Sequence, residues 1–229
     1  MKHLLTRVAA AALLGGGAMS AQAVTLTLSN YAYGGNNVNV TSTGIASPAS
    51  YGGGAGAFAG TLSGAGVFDS ASFVTYCAEL EQSFGFGSLP GYALVTPAAY
   101  NGAGANGWGA NSAAIGNRLG QLLTYALPTA NTSVNSTSLQ LAIWNTIYDT
   151  DNTVASGAFT DVSGYAAQAD AYLSSSLSTV SAYQIGVLTN SGAQDFVAFA
   201  PVPEPGTYVL MAAGLAGVGF VARRRTRRV

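Results

Sequence analysis

The stretch Ser138-Leu-Gln-Leu-Ala-Ile-Trp-Asn-Thr-Ile-Tyr-Asp149 decides how the rest of the chain reads. As a helix over roughly 137–149 it sets Gln140, Ile143, Trp144 and Ile147 at i, i+3, i+4 and i+7, which is one face. Three of these four are large and apolar. Gln140 is the exception, an uncharged amide aimed where the core should be. A buried amide without partners costs about 1–3 kcal/mol, so the fold must satisfy it or use it. The second anomaly is Cys77, the single cysteine of the chain.

Working outward from the helix, Pro128 ends an earlier amphipathic run over Ala113–Leu127, capped by Asn111-Ser112, with Ile115, Leu119, Leu122, Leu123 and Ala126 on one side. Ser163–Thr179 is a third helical candidate, weakened by serines near its end. Strand patterns lie on either side of this helical block. Val24–Tyr33 and Val38–Ile45 alternate around the turn Gly34-Gly-Asn-Asn37, and Ala57–Leu62, Val67–Cys77 and Tyr92–Thr96 follow. Tyr183–Thr189 and Gln194–Ala200 read as a closing hairpin. Gly/Ser-rich 47–56, irregular 79–90 and Gly-rich 101–111, which carries Trp108, read as connections. The fold class expected is α+β: an antiparallel sheet or barrel-like core with inserted helices.

Composition points to export. Of the 229 residues 49% are hydrophobic and only 7% charged, against roughly 25% charged in ordinary soluble domains. Lys2, His3 and Arg7 precede a short apolar run from Val8 to Gly17, and Ala21-Gln22-Ala23 is an A-x-A cleavage site, so residues 1–23 read as a signal peptide with signal peptidase as its processing partner. At the other end, Pro203-Glu204-Pro205-Gly206 precedes an apolar run from Thr207 to Ala222 and an arginine cluster over 223–228. The run is short of the roughly 20 residues that span a bilayer comfortably, and the arginines favour a cytoplasmic C-terminus. Residues 201–229 resemble the PEP-CTERM sorting signal of Gram-negative bacteria, carried by Pro203, Glu204 and Pro205. The resemblance implies an exosortase-type processing enzyme as partner. It also implies transient inner-membrane insertion through the C-terminal helix, then release to the cell surface or extracellular matrix.

The intervening domain, 24–200, keeps one basic residue, Arg118, against eight carboxylates: Asp69, Glu79, Glu81, Asp149, Asp151, Asp161, Asp170 and Asp195. A net charge of −7 with no lysine leaves no footprint for nucleic acid. The one histidine, His3, lies in the signal peptide, which removes imidazole as base or metal ligand. No nucleophile-elbow, Walker or dinucleotide-binding pattern occurs. Asp149-Thr-Asp-Asn152 looks like the start of a calcium loop but lacks its glycine and closing Glu, so turn chemistry is expected. A carboxylate-pair hydrolase is the weakest reading: Glu79/Glu81 and Asp149/Asp151 alternate along the chain, spacings that eight acids produce by chance. No metal, cofactor or enzymatic turnover is expected.

Three readings of Cys77 compete: a buried inert hydrophobe, an intermolecular or redox thiol, or a thiol already bonded within the chain. Tyr76-Cys77 ends a strand, and Leu139-Gln140-Leu141-Ala142-Ile143-Trp144 sets an apolar residue before Gln and an apolar-Trp pair after it. Together these resemble the thioester domains of bacterial surface adhesins. The resemblance implies an internal thioester between Cys77 and Gln140, with Tyr76, Ile143 and Trp144 around it. It also implies covalent attachment to an amine- or hydroxyl-bearing surface or exopolysaccharide. Such a bond closes a loop of more than 60 residues, which stabilises by about 4 kcal/mol in the chain-entropy view. Absence of lysine would spare a reactive acyl group from the protein's own side chains; plain composition bias explains it equally. The rival from another class is a passive matrix or biofilm protein in which Gln140 simply bonds backbone.

Overall fold

A six-stranded antiparallel sheet closes on itself around the Leu26, Leu28, Leu62, Phe73, Leu188 and Phe196 side chains, all buried. The computed structural model describes residues 24–43, 49–102, 108–149 and 151–203, with 206, 210, 211 and 213–215. The signal peptide, and Glu204 and Pro205 of the tail, lie outside the described residues. The strands are β1 (Val24–Tyr31), β2 (Asn36–Ser42), β3 (Ser50–Ala55), β4 (Phe58–Ser63), β5 (Ser70–Cys77), β6 (Gly87–Val95), β7 (Phe159–Asp161), β8 (Tyr183–Thr189) and β9 (Phe196–Pro201). The barrel order is β1-β4-β5-β9-β8-β6, with β6 returning to β1, and β3-β2-β7 form a separate small sheet. The helices that pack on these sheets and on one another are α1 (Ser112–Ala126), α2 (Ser133–Tyr148) and α3 (Ala166–Ser175).

The expected α+β class and barrel-like core are present. Two connections turn out to be paired backbone. Residues 50–55 form β3 against β2, with Gly52, Gly53 and Gly54 opposite Asn39, Val38 and Asn37. A glycine run has no side-chain alternation, so its strand character comes from its partner alone. β6 starts at Gly87 and runs through Pro90 and Gly91. These two sit where its register with β1 shifts, between the Leu26–Leu89 and Val24–Tyr92 pairs, the kind of irregularity that tolerates proline inside a sheet.

Helix α2 departs most from its sequence pattern. It starts at Ser133, capped by the Thr132 hydroxyl accepting from the Asn135 N–H at 3.2 Å. Every residue from Ser136 to Tyr148 is buried, on all sides rather than along one face. The reason is its surroundings: β5 of the barrel, the small sheet, α1 and α3 all pack on it. Its polar residues are absorbed accordingly. Ser136 Oγ accepts from Ala57 N at 2.6 Å, Thr137 Oγ1 donates to Ala55 O at 3.0 Å, and Asn145 Nδ2 donates to Thr153 O at 2.7 Å. Helix α3 is shorter than its pattern because Ser174 and Ser176 hydroxyls bond back to the Asp170 and Tyr172 carbonyls and the chain tightens into a 3₁₀ turn. Among the described residues no helix is long and apolar enough to cross a membrane.

Closure of the barrel depends on close backbone approach at Gly60, where a Cβ would lie 1.8 Å from Thr27 O. Gly60→Ala is expected to destabilise by about 1–3 kcal/mol in urea unfolding. Gly85→Ala, where a Cβ meets nothing within 4 Å, leaves the midpoint unchanged.

Candidate functional site: the junction of Cys77 and Gln140

Strand β5 outruns its neighbour. Thr75 pairs with Phe58, the first residue of β4, and that register continued would bring Gly56 opposite Cys77. Gly56 instead turns at φ 141° toward β3. On the other side Ala78 N donates to Asp195 O at 2.9 Å. Strand alternation therefore leaves the Cys77 N–H and C=O facing the missing partner. Gln140 fills the vacancy. Its Oε1 accepts from Cys77 N at 2.8 Å and its Nε2 donates to Cys77 O at 3.0 Å. A primary amide carries the same donor and acceptor as a peptide unit, so the side chain stands in for one residue of β4. The 63 positions separating the two residues are closed by a pair of buried hydrogen bonds.

The same helix continues along the same segment. Trp144 Nε1 donates to Glu79 O at 3.1 Å. The Tyr148 hydroxyl accepts from Leu80 N at 3.1 Å and donates to Glu81 Oε2 at 2.9 Å. Gln140, Trp144 and Tyr148 are spaced i, i+4 and i+8. Four helical residues rise about 6.0 Å and two extended residues about 6.6 Å, so one helix row keeps step with alternate residues of an extended chain. Two further side chains complete the set: Trp108 Nε1 donates to Ala78 O at 3.1 Å and Gln194 Nε2 to Glu79 O at 3.1 Å.

Charge at this junction is buried and acidic. Glu79 is 0% exposed. Its Oε2 accepts from the N–H groups of Glu81 and Gln82, and its Oε1 from Asp195 N at 3.2 Å. Burial outweighs these donors and pushes its carboxyl up to about 8. Asp195, also 0% exposed, is raised by burial although Tyr100, Asn190 N and Thr189 donate to it. Burial likewise pushes the Cys77 thiol well up, and the Glu79 charge adds to it. Cys77 lies opposite Phe196, which packs on Phe84 and Phe58 with ring centroids 5.0 and 6.2 Å apart.

The residues expected around the pair separate. Trp144 is buried beside it, edge-on to Tyr51 at 5.3 Å. Ile143 is fully buried in the core. Tyr76, next in the strand, is sent to the opposite face, near Ser136 and Tyr172. Trp108, Tyr148 and Gln194 carry no motif that marks them, and Glu79 is marked only as half of a carboxylate-pair spacing. The signal for Tyr148 was available: it extends the Gln140–Trp144 row by one turn and carries a polar tip. Asp149 and Asp151 serve the turn chemistry their spacing suggested. Asp149 Oδ2 accepts from Ala158 N and Phe159 N, and Asp151 Oδ1 from Thr153 N. Among the described residues no group of three or more His, Cys, Asp or Glu is placed to hold a metal ion.

Two consequences are measurable. Gln140→Leu strands two buried backbone groups, each worth about 1–3 kcal/mol, so unfolding in urea should show a loss of about 2–6 kcal/mol. Glu79 binds its proton more tightly when folded, because its carboxyl rises from the ordinary 4.5 to about 8. The folded state therefore holds more protons across that window, and stability falls with rising pH there. The contribution is fully present below the lower value and lost as pH passes through the upper. Unfolding titrations of wild type minus Glu79→Gln should show this slope.

Residues 201–225 match the PEP-CTERM protein-sorting motif. No curated protein and no solved structure matches the chain. The match covers the tail alone. It marks the protein as exported, directed to the cell surface and sorted by an exosortase.

Proposed function

We propose that this exported protein carries an internal thioester between Cys77 and Gln140, through which it attaches covalently to an amine- or hydroxyl-bearing surface or matrix partner. The observation that carries the reading is the two-bond pairing of the Gln140 amide with the backbone of Cys77 itself. By bonding both N–H and C=O the amide lies in the plane of the ladder, whereas the Cys77 side chain leaves the strand perpendicular to it. To form the bond, the sulfur would add to a face of that amide, the direction from which a nucleophile attacks a carbonyl. The Cys77 N–H already donates to the oxygen on which negative charge would develop. In the reaction the Sγ–Cδ bond forms, the Cδ–Nε2 bond breaks and ammonia leaves.

The surroundings suit storage of such a bond. Cys77, Gln140, Trp108 and Trp144 are all buried, which keeps water from the acyl carbon. Residues 24–200 contain no lysine, so no side-chain amine of the domain competes with an external one. Attack by a partner's amine or hydroxyl would leave an amide or ester on Gln140 and a free Cys77 thiol, a single capture rather than turnover. Burial implies that local opening must precede attack.

A second reading is favoured by the same hydrogen bonds. The intact amide is fully satisfied by Cys77, so a passive matrix or biofilm protein needs no chemistry there. Intact mass separates the two. A thioester protein lacks one ammonia relative to its sequence, gains methylamine at Gln140 on exposure to it, and does neither as Cys77→Ala. A wild-type mass equal to the sequence mass, unchanged by methylamine, selects the passive protein.

A further inference from the structure

Away from the junction, a cavity of about 270 Å³ opens between α1, the end of α2 and the 3₁₀ turn that follows α3, and Arg118 lines it. Arg118 is the single basic residue of 24–200. Its Nη1 donates to Ser176 Oγ at 2.9 Å, and its Nη2 to Leu173 O at 2.6 Å and Asn152 Oδ1 at 3.4 Å. All three acceptors are neutral. Its Nε–H is buried and has no acceptor among the described residues. The acids beside it in the chain are spent elsewhere. Asp151 Oδ1 accepts from Asn145 Nδ2 and Thr153 N, and the Asp170 carboxylate from Thr153 Oγ1 and Val154 N. Among the described residues the one cation of an acidic domain therefore bonds no carboxylate.

The guanidinium meets the C-terminal end of α3, where the helix dipole supplies about half a negative charge. That offsets part of the positive charge and leaves the rest. A charge withdrawn from water is ordinarily paired, and an arginine stays protonated at any working pH. The neighbours of Arg118 around the cavity are equally unspent. Asn111 stands at the N-cap of α1, where a side-chain oxygen ordinarily accepts from the helix backbone. It makes no such bond, contrary to the cap its sequence suggests, and lines the cavity instead. Asn152, a non-glycine residue at φ 65°, is held in the left-handed region that asparagine tolerates, with its amide oxygen on Arg118. Ile115 is buried on one wall, and Leu177, 54% exposed, stands at the mouth.

We propose that this cavity binds a small hydroxylated carboxylate, its acid group on the Arg118 guanidinium, its hydroxyls on Asn111 and its carbon body between Ile115 and Leu177. Arginine suits a carboxylate because its planar N–H groups match the two oxygens. A primary amide both donates and accepts, which suits a hydroxyl. The apolar walls call for a carbon body, which an inorganic anion lacks. Pockets for drug-sized ligands run to about 300–1,000 Å³, so 270 Å³ suits one small acid. A uronic acid has this chemistry, either free or as one residue of an acidic polysaccharide. The excess of carboxylates over 24–200 repels a dense polyanion at long range, which favours the lone acid. The site stands whether or not Cys77 and Gln140 bond.

Calorimetric titration of the full chain with glucuronate tests the site, with glucose as the uncharged control. Wild type should bind glucuronate saturably, one per chain, and should not bind glucose. Arg118→Gln should weaken glucuronate at least about tenfold. That variant also loses hydrogen bonds at the end of α3, so Leu177→Glu is the second probe. It leaves the Arg118 bonds in place and sets a fixed carboxylate at the mouth, where it competes with the ligand. It should keep the wild-type unfolding midpoint and also bind glucuronate at least about tenfold more weakly. The arginines of the tail are the same in every variant, so binding there would persist. A short oligogalacturonate separates the two sources: binding equal to that of glucuronate assigns the site to an acid within a chain, and binding of glucuronate alone assigns it to the free acid. No saturable binding of glucuronate by wild type, or equal binding by wild type and Leu177→Glu, overturns the proposal.

Discussion

The short segment from Cys77 to Gln82 has no strand on its β4 side, and the rest of the molecule is arranged to supply what that strand would have given. Its backbone groups are met by Gln140, Trp144 and Tyr148 from α2, by Trp108, by Gln194 and by the Glu79 carboxylate. Burial of polar backbone is tolerated only with such partners. Helix α2 must therefore lie against β5 in one register, because a helical turn and two extended residues advance by nearly the same length. That requirement explains why α2 is buried on every side: the small sheet and the other two helices close over a helix already committed to the barrel edge.

The same arrangement concentrates unusual chemistry. It puts a thiol, a primary amide and the Glu79 and Asp195 carboxyls into one buried region. Each ionisable member is pushed toward its neutral form by burial. The proposed amide–thiol exchange would rely there on position and a few committed donors rather than on the imidazole that most acyl-transfer sites employ. The tail matched at 201–225 supplies the setting, an exported protein sorted to the surface. Nothing in that tail bears on the domain's chemistry.

Much of this could be read before any coordinates. Alternation over Val24–Tyr33 points to β1, the hairpin reading of Gln194–Ala200 falls on β9, and Pro128 marks the end of α1. Gln140 stood out because an amide among Ile143, Trp144 and Ile147 needs a partner, and Cys77 stood out as a lone thiol. The glycine strand β3 was invisible because its pairing is entirely backbone. Tyr148 and Trp108 were hidden for a different reason: each is an apolar ring by pattern and a hydrogen-bonding group by position. The role of Glu79 depends on Asp195, 116 residues away, and no local rule links them. Tyr76 shows the limit of motif reading, since the Cys77 side chain lies on the other side of the strand.

The central claim is that Gln140 meets Cys77 closely enough to bond with it. Peptide mapping of the purified protein under acidic, denaturing conditions tests it most directly. The account predicts a cross-linked pair of peptides, one containing Cys77 and one containing Gln140, lighter by one ammonia than their sum and absent from Cys77→Ala. Recovery of the two peptides separately, with an intact amide at Gln140 and an unmodified thiol at Cys77, would contradict it.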